Sequence, residues 1–163
     1  MAREFLKKII VAVNGSESSM HAAMYGIMMA KSYGLKLKAV YVVDTATIKY
    51  LSMNKFLISE EKLDYETRLT SDGQDYLKYV EKLAQTKGLK IETELLSGGI
   101  YSELVRECDK YSADLLLLGG HETPKGNVHQ SSFSDASKQI LISSHVPVLV
   151  VQKAEIENLF KVF

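Results

Sequence analysis

The apolar residues of this chain change their spacing again and again, and that alternation limits the fold more than any other feature of the sequence. Ile9-Ile10-Val11-Ala12-Val13 is a continuous apolar run rich in β-branched residues, the signature of a strand buried on both faces. Asn14-Gly15-Ser16 turns the chain, with Ser16 or Ser18 as the helix N-cap. Met20, Ala23, Met24, Ile27 and Met28 follow at helical spacing until Gly34 stops the helix. Gly26 within it is expected to mark close packing on a sheet. A second strand covers Leu35 to Val43, alternating at first and then fully apolar at Val40-Tyr41-Val42-Val43. Residues 44–58 read as a connection with a helical turn. A long helix is expected over Ser59 to Lys87, with Leu63, Leu69, Tyr76, Leu77, Val80, Leu83 and Ala84 on its apolar face and a kink at Gly73.

The alternation then repeats. Lys90 to Leu96 forms a third strand, and Ser97-Gly98-Gly99 leads into a helix whose apolar face is Tyr101, Leu104, Val105, Cys108 and Tyr111. Leu115 to Leu118 is a fourth strand, followed by a polar loop over 119–133. The next helix carries Ala136, Ile140 and Leu141, and Pro147 opens a fifth strand, Val148 to Val151. Strands separated by helices call for an α/β fold, a five-stranded parallel sheet with helices on both faces. Ligands of such sheets sit beyond the carboxyl ends of the strands, here the loops after Val13, Val43 and Leu118. The tail is distinct: Ile156, Leu159, Phe160 and Phe163 lie at i, i+3, i+4 and i+7, giving a short amphipathic helix. It packs on its own domain or serves a partner. The expected organisation is one α/β domain over residues 1–152 and a helical tail over 153–163.

With 163 residues the chain is long enough for one buried core without disulfides or metals. Its 20 basic and 20 acidic side chains cancel, which argues against a nucleic-acid or anionic-membrane binder. The apolar run near the N-terminus is too short for a signal peptide or a membrane span. A single cysteine, Cys108, fits a reducing compartment. The expectation is therefore a soluble, cytoplasmic, single-domain protein.

No Walker A sequence, strand-linked G-x-G-x-x-G, G-x-S-x-G, H-E-x-x-H or paired C-x-x-C is present. Ser97-Gly98-Gly99-Ile100-Tyr101-Ser102 is superficially similar to the phosphate loop of ATP pyrophosphatases. Tyr101 stands where that loop needs Asp, however, so a glycine-rich strand-to-helix turn is the better description. The histidines at 21, 121, 129 and 145 show no metal-ligand spacing, and His121 and His129 read as exposed loop residues. Cys108, on an apolar helix face, reads as a buried, unreactive thiol. Nothing assembles a nucleophile, a base and an orienting acid, so no catalytic residue is assigned.

Three segments together resemble the universal stress protein family. Lys7-Lys8-Ile9-Ile10-Val11-Ala12-Val13-Asn14-Gly15-Ser16-Glu17 looks like its first strand and turn, and Ala113-Asp114-Leu115-Leu116-Leu117-Leu118-Gly119-Gly120-His121 like its fourth strand and loop. Val146-Pro147-Val148-Leu149-Val150-Val151 looks like its last strand, and Gly98 also fits. The resemblance covers about residues 5–152. It implies a Rossmann-like sheet in the order 3-2-1-4-5, of the adenine-nucleotide α-hydrolase-like type, usually in a homodimer with no settled enzymatic activity. Some members bind ATP and others do not.

ATP-binding members carry G-x2-G-x9-G-[ST] after the fourth strand, where glycines let backbone N–H groups reach phosphates at a helix N-terminus. Here Gly119 matches the first glycine, but Glu122 stands at the second, Ser134 at the third and Asp135 at the hydroxyl position, with Ala136 next. The loop is two residues longer than the pattern. Asn14 replaces the adenine-contacting Asp, while Val42 matches the adenine-contacting valine. Like charges about 4 Å apart repel by roughly 4 kcal/mol at an effective dielectric of 20. Glu122 and Asp135 would therefore weaken a triphosphate site, unless a bridging magnesium or the nearby Lys125 compensates. Asp135 or Ser134 could instead cap the following helix. The expectation is a non-enzymatic stress-response or regulatory homodimer with an impaired ATP site. The alternative is an ATP/AMP-binding signalling switch with a remodelled phosphate loop. An enzyme of the wider α-hydrolase-like group would need a reactive constellation that this sequence lacks.

Overall fold

The computed structural model describes residues 4–55, 57–120 and 135–163. Within them, β1 (Lys8–Val13), β2 (Lys36–Asp44), β3 (Glu92–Gly98), β4 (Leu115–Gly119) and β5 (Val148–Val151) form one sheet in the order β3-β2-β1-β4-β5. Every pairing is parallel, and β1 aligns with β2 from Lys8 opposite Lys36 to Val13 opposite Tyr41. The helices are α1 (Glu17–Tyr33), α2 (Thr45–Met53), α3 (Ser59–Thr86), α4 (Ile100–Tyr111), α5 (Asp135–Ser143) and α6 (Ile156–Val162). The expected strand order and the helices on both faces are both present. No described helix is long and apolar enough to cross a membrane.

The twofold alternation of a strand divides the core into two layers. Ile9, Val11 and Val13 join Leu37, Ala39 and Tyr41 under α1, α3 and α6. Ile10, Val40, Leu116 and Leu118 face the other way, against Leu104 and Cys108 of α4 and Ile140 of α5. At the start of β1, the Lys7 and Lys8 amides donate to Asp114 Oδ2 at 2.8 and 3.0 Å. The carboxylate thereby fixes the alignment of β1 with the beginning of β4.

Several local expectations change. The 44–58 connection holds a full nine-residue helix, α2, because Asp44 caps it by accepting from the Thr47 amide at 3.1 Å. β3 lies two residues further along than its apolar residues suggest. As the sheet edge it is only half-buried, so hydrophobicity marks its limits poorly. α3 runs unbroken through Gly73, which serves close packing where a kink was expected: a Cβ there would lie 2.5 Å from Tyr41 Cδ1 and 2.7 Å from Leu95 Cδ1. Leu63 on α3 and Leu141 on α5 are exposed; Leu141 adjoins Ile140, which is buried on the sheet, and so faces away from it. The tail's apolar stripe is divided: Ile156 and Phe160 enter the α1–α3 layer, while Leu159 and Phe163 remain exposed at 39% and 46%.

Candidate functional site

Parallel strands all end on one side, and the carboxyl ends of β1, β2 and β4 open into a cavity of about 270 Å³. Ala12, Val40, Val42 and Leu118 supply its strand side. Ile100 and Leu104 of α4 and Ile140 of α5 close the flanks, because these helices cover the same sheet face. The polar rim is Asn14, Ser16, Ser18 and Ser19 from the β1–α1 turn and Ser137 from α5. No acidic or basic side chain is among these described lining residues.

The β1–α1 turn is built from its own hydrogen bonds. Gly15 takes φ +81°, a region that favours glycine. Asn14 Oδ1 accepts from the Ser16 amide at 3.0 Å and from the Ser16 hydroxyl at 2.5 Å. Ser16 caps α1 by accepting from the Ser19 amide at 3.2 Å, as the sequence suggests. Ser19 Oγ in turn donates to the Ser16 carbonyl at 2.9 Å and accepts from the Asn14 amide at 3.2 Å. Gly119 meets this turn from β4. A Cβ on it would lie 2.6 Å from Ser18 C and 2.7 Å from the Ser19 amide nitrogen. Only glycine lets β4 end so close to the first turn of α1.

Of the residues singled out by sequence, Asn14, Val42, Gly119 and Ala136 line this one cavity. Asp135 is the exposed first residue of α5, where its charge complements the helix dipole. Glu122 and Ser134 lie outside the described residues. The serine rim, Ala12, Val40, Ile100, Leu104 and Ile140 were not foreseen individually. The rule that ligands sit beyond the strand ends points to them, but it selects loops and leaves side chains open.

Titratable groups lie deeper. Burial, with Asp109 and Glu107 adding to it, pushes the Cys108 thiol up to about 11, so it stays protonated at neutral pH as its apolar setting suggested. On the same sheet face, nearer the amino ends of the strands, Lys38 donates to Glu107 Oε1 at 2.5 Å and pairs with Glu94. Lys38 and Glu107 were not anticipated as core residues, yet both are over 90% buried. Burial alone would lower the Lys38 ammonium, but its hydrogen bonds to Glu107 and Glu94 outweigh that and hold the group above its ordinary range. Lys38 in turn holds Glu94 below the usual carboxylate range. None of these groups borders the cavity, so the described lining offers shape and neutral hydrogen bonding, with serine hydroxyls but no acidic, basic or imidazole side chain beside them.

A sequence profile of the universal stress protein family matches residues 6–152. A universal stress protein of Methanocaldococcus jannaschii is 35% identical over 153 residues, spanning 93% of this chain and 85% of that one. A universal stress protein family structure from Burkholderia pseudomallei superposes with a TM-score of 0.71 at 18% identity, over 93% of this chain and 100% of that one. An Arabidopsis thaliana family member solved with AMP bound gives a TM-score of 0.65 at 15% identity, over 93% and 94% of the two chains. Sequence match and fold agree: this chain belongs to the universal stress protein family.

Proposed function

We propose that this chain is a non-enzymatic stress-response regulator, a cytoplasmic homodimer whose nucleotide site no longer holds ATP in the manner of its ATP-binding relatives. The observation that carries this reading is the uncharged lining of the described cavity. A serine hydroxyl becomes a nucleophile only beside an activating base, and the described lining holds serines but no acidic, basic or imidazole side chain. A triphosphate needs donors or cations, whereas the sequence sets Glu122 and Asp135 at positions of the family's phosphate motif. For the dimer, the support is the β5 edge. Among the described residues Val148–Val151 has a strand neighbour on one side only, and such an edge presents unpaired backbone groups for another chain. Ile142 on the preceding helix is 85% exposed. The balanced charge supports partners other than nucleic acid.

Native mass spectrometry of gently purified protein tests this. A dimer near twice 18.2 kDa without stoichiometric nucleotide is expected. Retained ATP or AMP would favour the second reading, a nucleotide-operated switch. Two observations support that alternative: Asn14 and Val42 line the same cavity, and the Arabidopsis relative holds AMP. An amide carries both a donor and an acceptor, which suits a heterocycle edge. Absence of a thermal shift with millimolar ATP and magnesium would count against the switch.

A further inference from the structure

The tail brings a carboxylate from the far end of the chain onto the first turns of α1. Glu17 and His21 stand at i and i+4, so their side chains share one side of that helix. Glu157 reaches them from α6, which is seated by fully buried Ile156 and by Phe160, whose ring lies 4.6 Å beneath Lys87 Nζ. His21 Nε2 is 3.3 Å from Glu157 Oε1 and 3.9 Å from Glu17 Oε1. One donor atom from each of the three residues lies within 4.8 Å of the others.

These dimensions suit a small divalent cation. Zinc bonds nitrogen and carboxylate oxygen at about 2.0–2.2 Å in tetrahedral geometry, which sets ligand atoms roughly 3.4 Å apart. The His21–Glu157 separation already has that value, and the exposed Glu17 side chain can close the remaining gap by rotation. An imidazole nitrogen among the ligands favours zinc and its first-row neighbours over magnesium or calcium, which prefer oxygen alone. Two carboxylates balance a dication. The two glutamates are more than half exposed, which leaves the fourth position to water. We propose that Glu17, His21 and Glu157 form a binding site for zinc or a similar divalent metal that staples the C-terminal helix to α1.

The test is titration of the full, chelator-treated chain with zinc chloride at neutral pH, followed by calorimetry. One equivalent should bind. His21→Ala and Glu157→Gln should each weaken binding by more than about tenfold, the smallest loss usual even for outer-shell changes around a metal. His145→Ala, which removes a histidine paired with Asp109 elsewhere, and the double change His121→Ala/His129→Ala should leave binding unchanged. Zinc should also slow amide exchange over residues 156–162 in the parent chain and leave Glu157→Gln unaffected. The proposal is overturned if zinc fails to bind at millimolar concentration, the three side chains then forming an ion-pair cluster only. It is equally overturned if binding survives both His21→Ala and Glu157→Gln, or disappears in the His121/His129 variant.

Discussion

Three glycines show how differently one residue type is used. Gly26 in α1 sits where an added Cβ would touch Leu117 and Leu37 at 3.4 Å, an ordinary contact. Gly26→Ala should be neutral or stabilise by up to about 1 kcal/mol through helix propensity. At Gly119 the same methyl meets backbone, and at Gly73 it meets the Tyr41 ring, so each alanine should cost about 1–3 kcal/mol by overpacking. Urea denaturation of the three variants should give that difference in sign. The sequence marks all three glycines but not this ranking, because the atoms that crowd Gly73 and Gly119 come from distant parts of the chain. Cys108 is the opposite case, since its helix spacing alone announces a buried thiol. It should resist a thiol reagent in the native protein at neutral pH and react fully on unfolding.

At the level of elements, α4 is held to β2 and β3 by charge within an apolar layer. Lys38→Met would leave buried Glu107 without its cation and should cost about 3–5 kcal/mol. Lys38→Met/Glu107→Leu should recover much of that loss, which denaturant titration can measure. The pH dependence follows from the two shifts. Glu94 is held below its ordinary 4.5, so its contribution is complete above that value and disappears as pH falls through the lower, folded-state value. Lys38 is held above 10.5, so its contribution is complete below that and is lost as pH rises through the higher, folded-state value. Stability of the parent chain measured against pH should therefore decline at both extremes, and the double variant should decline less. Alternation around Leu35 and Leu37 places Lys38 on the side opposite those two leucines, as observed. Its burial was not readable, because it depends on α4 crossing that face with Glu107 beside Leu104 and Cys108. The succession of strands and helices, in contrast, was legible because period changes in the apolar pattern are local, whereas the strand order was implied only by the family resemblance.

Across the whole molecule, the tail and the β5 edge are separate features and should fail separately. Deleting residues 154–163 removes the burial of Ile156 and Phe160, worth about 1.5–3 kcal/mol each before the freed chain entropy is credited. The melting temperature should drop, while light scattering should still report a dimer if β5 forms the contact. Sequence periodicity foresaw the tail helix but treated its apolar stripe as one surface. Only the position of α6 across α1 decides which half is covered. The phosphate side of the site was legible as a departure from a motif, of which Glu122 and Ser134 fall outside the described residues. A last consequence concerns the turn after β1, where Asn14, Ser16 and Ser19 already answer one another's hydrogen bonds. A guest therefore finds Asn14 Oδ1 and the Ser16 hydroxyl already engaged and is chosen chiefly by its contour, helped only by neutral hydrogen bonds. Selection by contour in an uncharged hollow should be almost indifferent to ionic strength, so a ligand held there should keep nearly the same affinity from dilute buffer to concentrated salt.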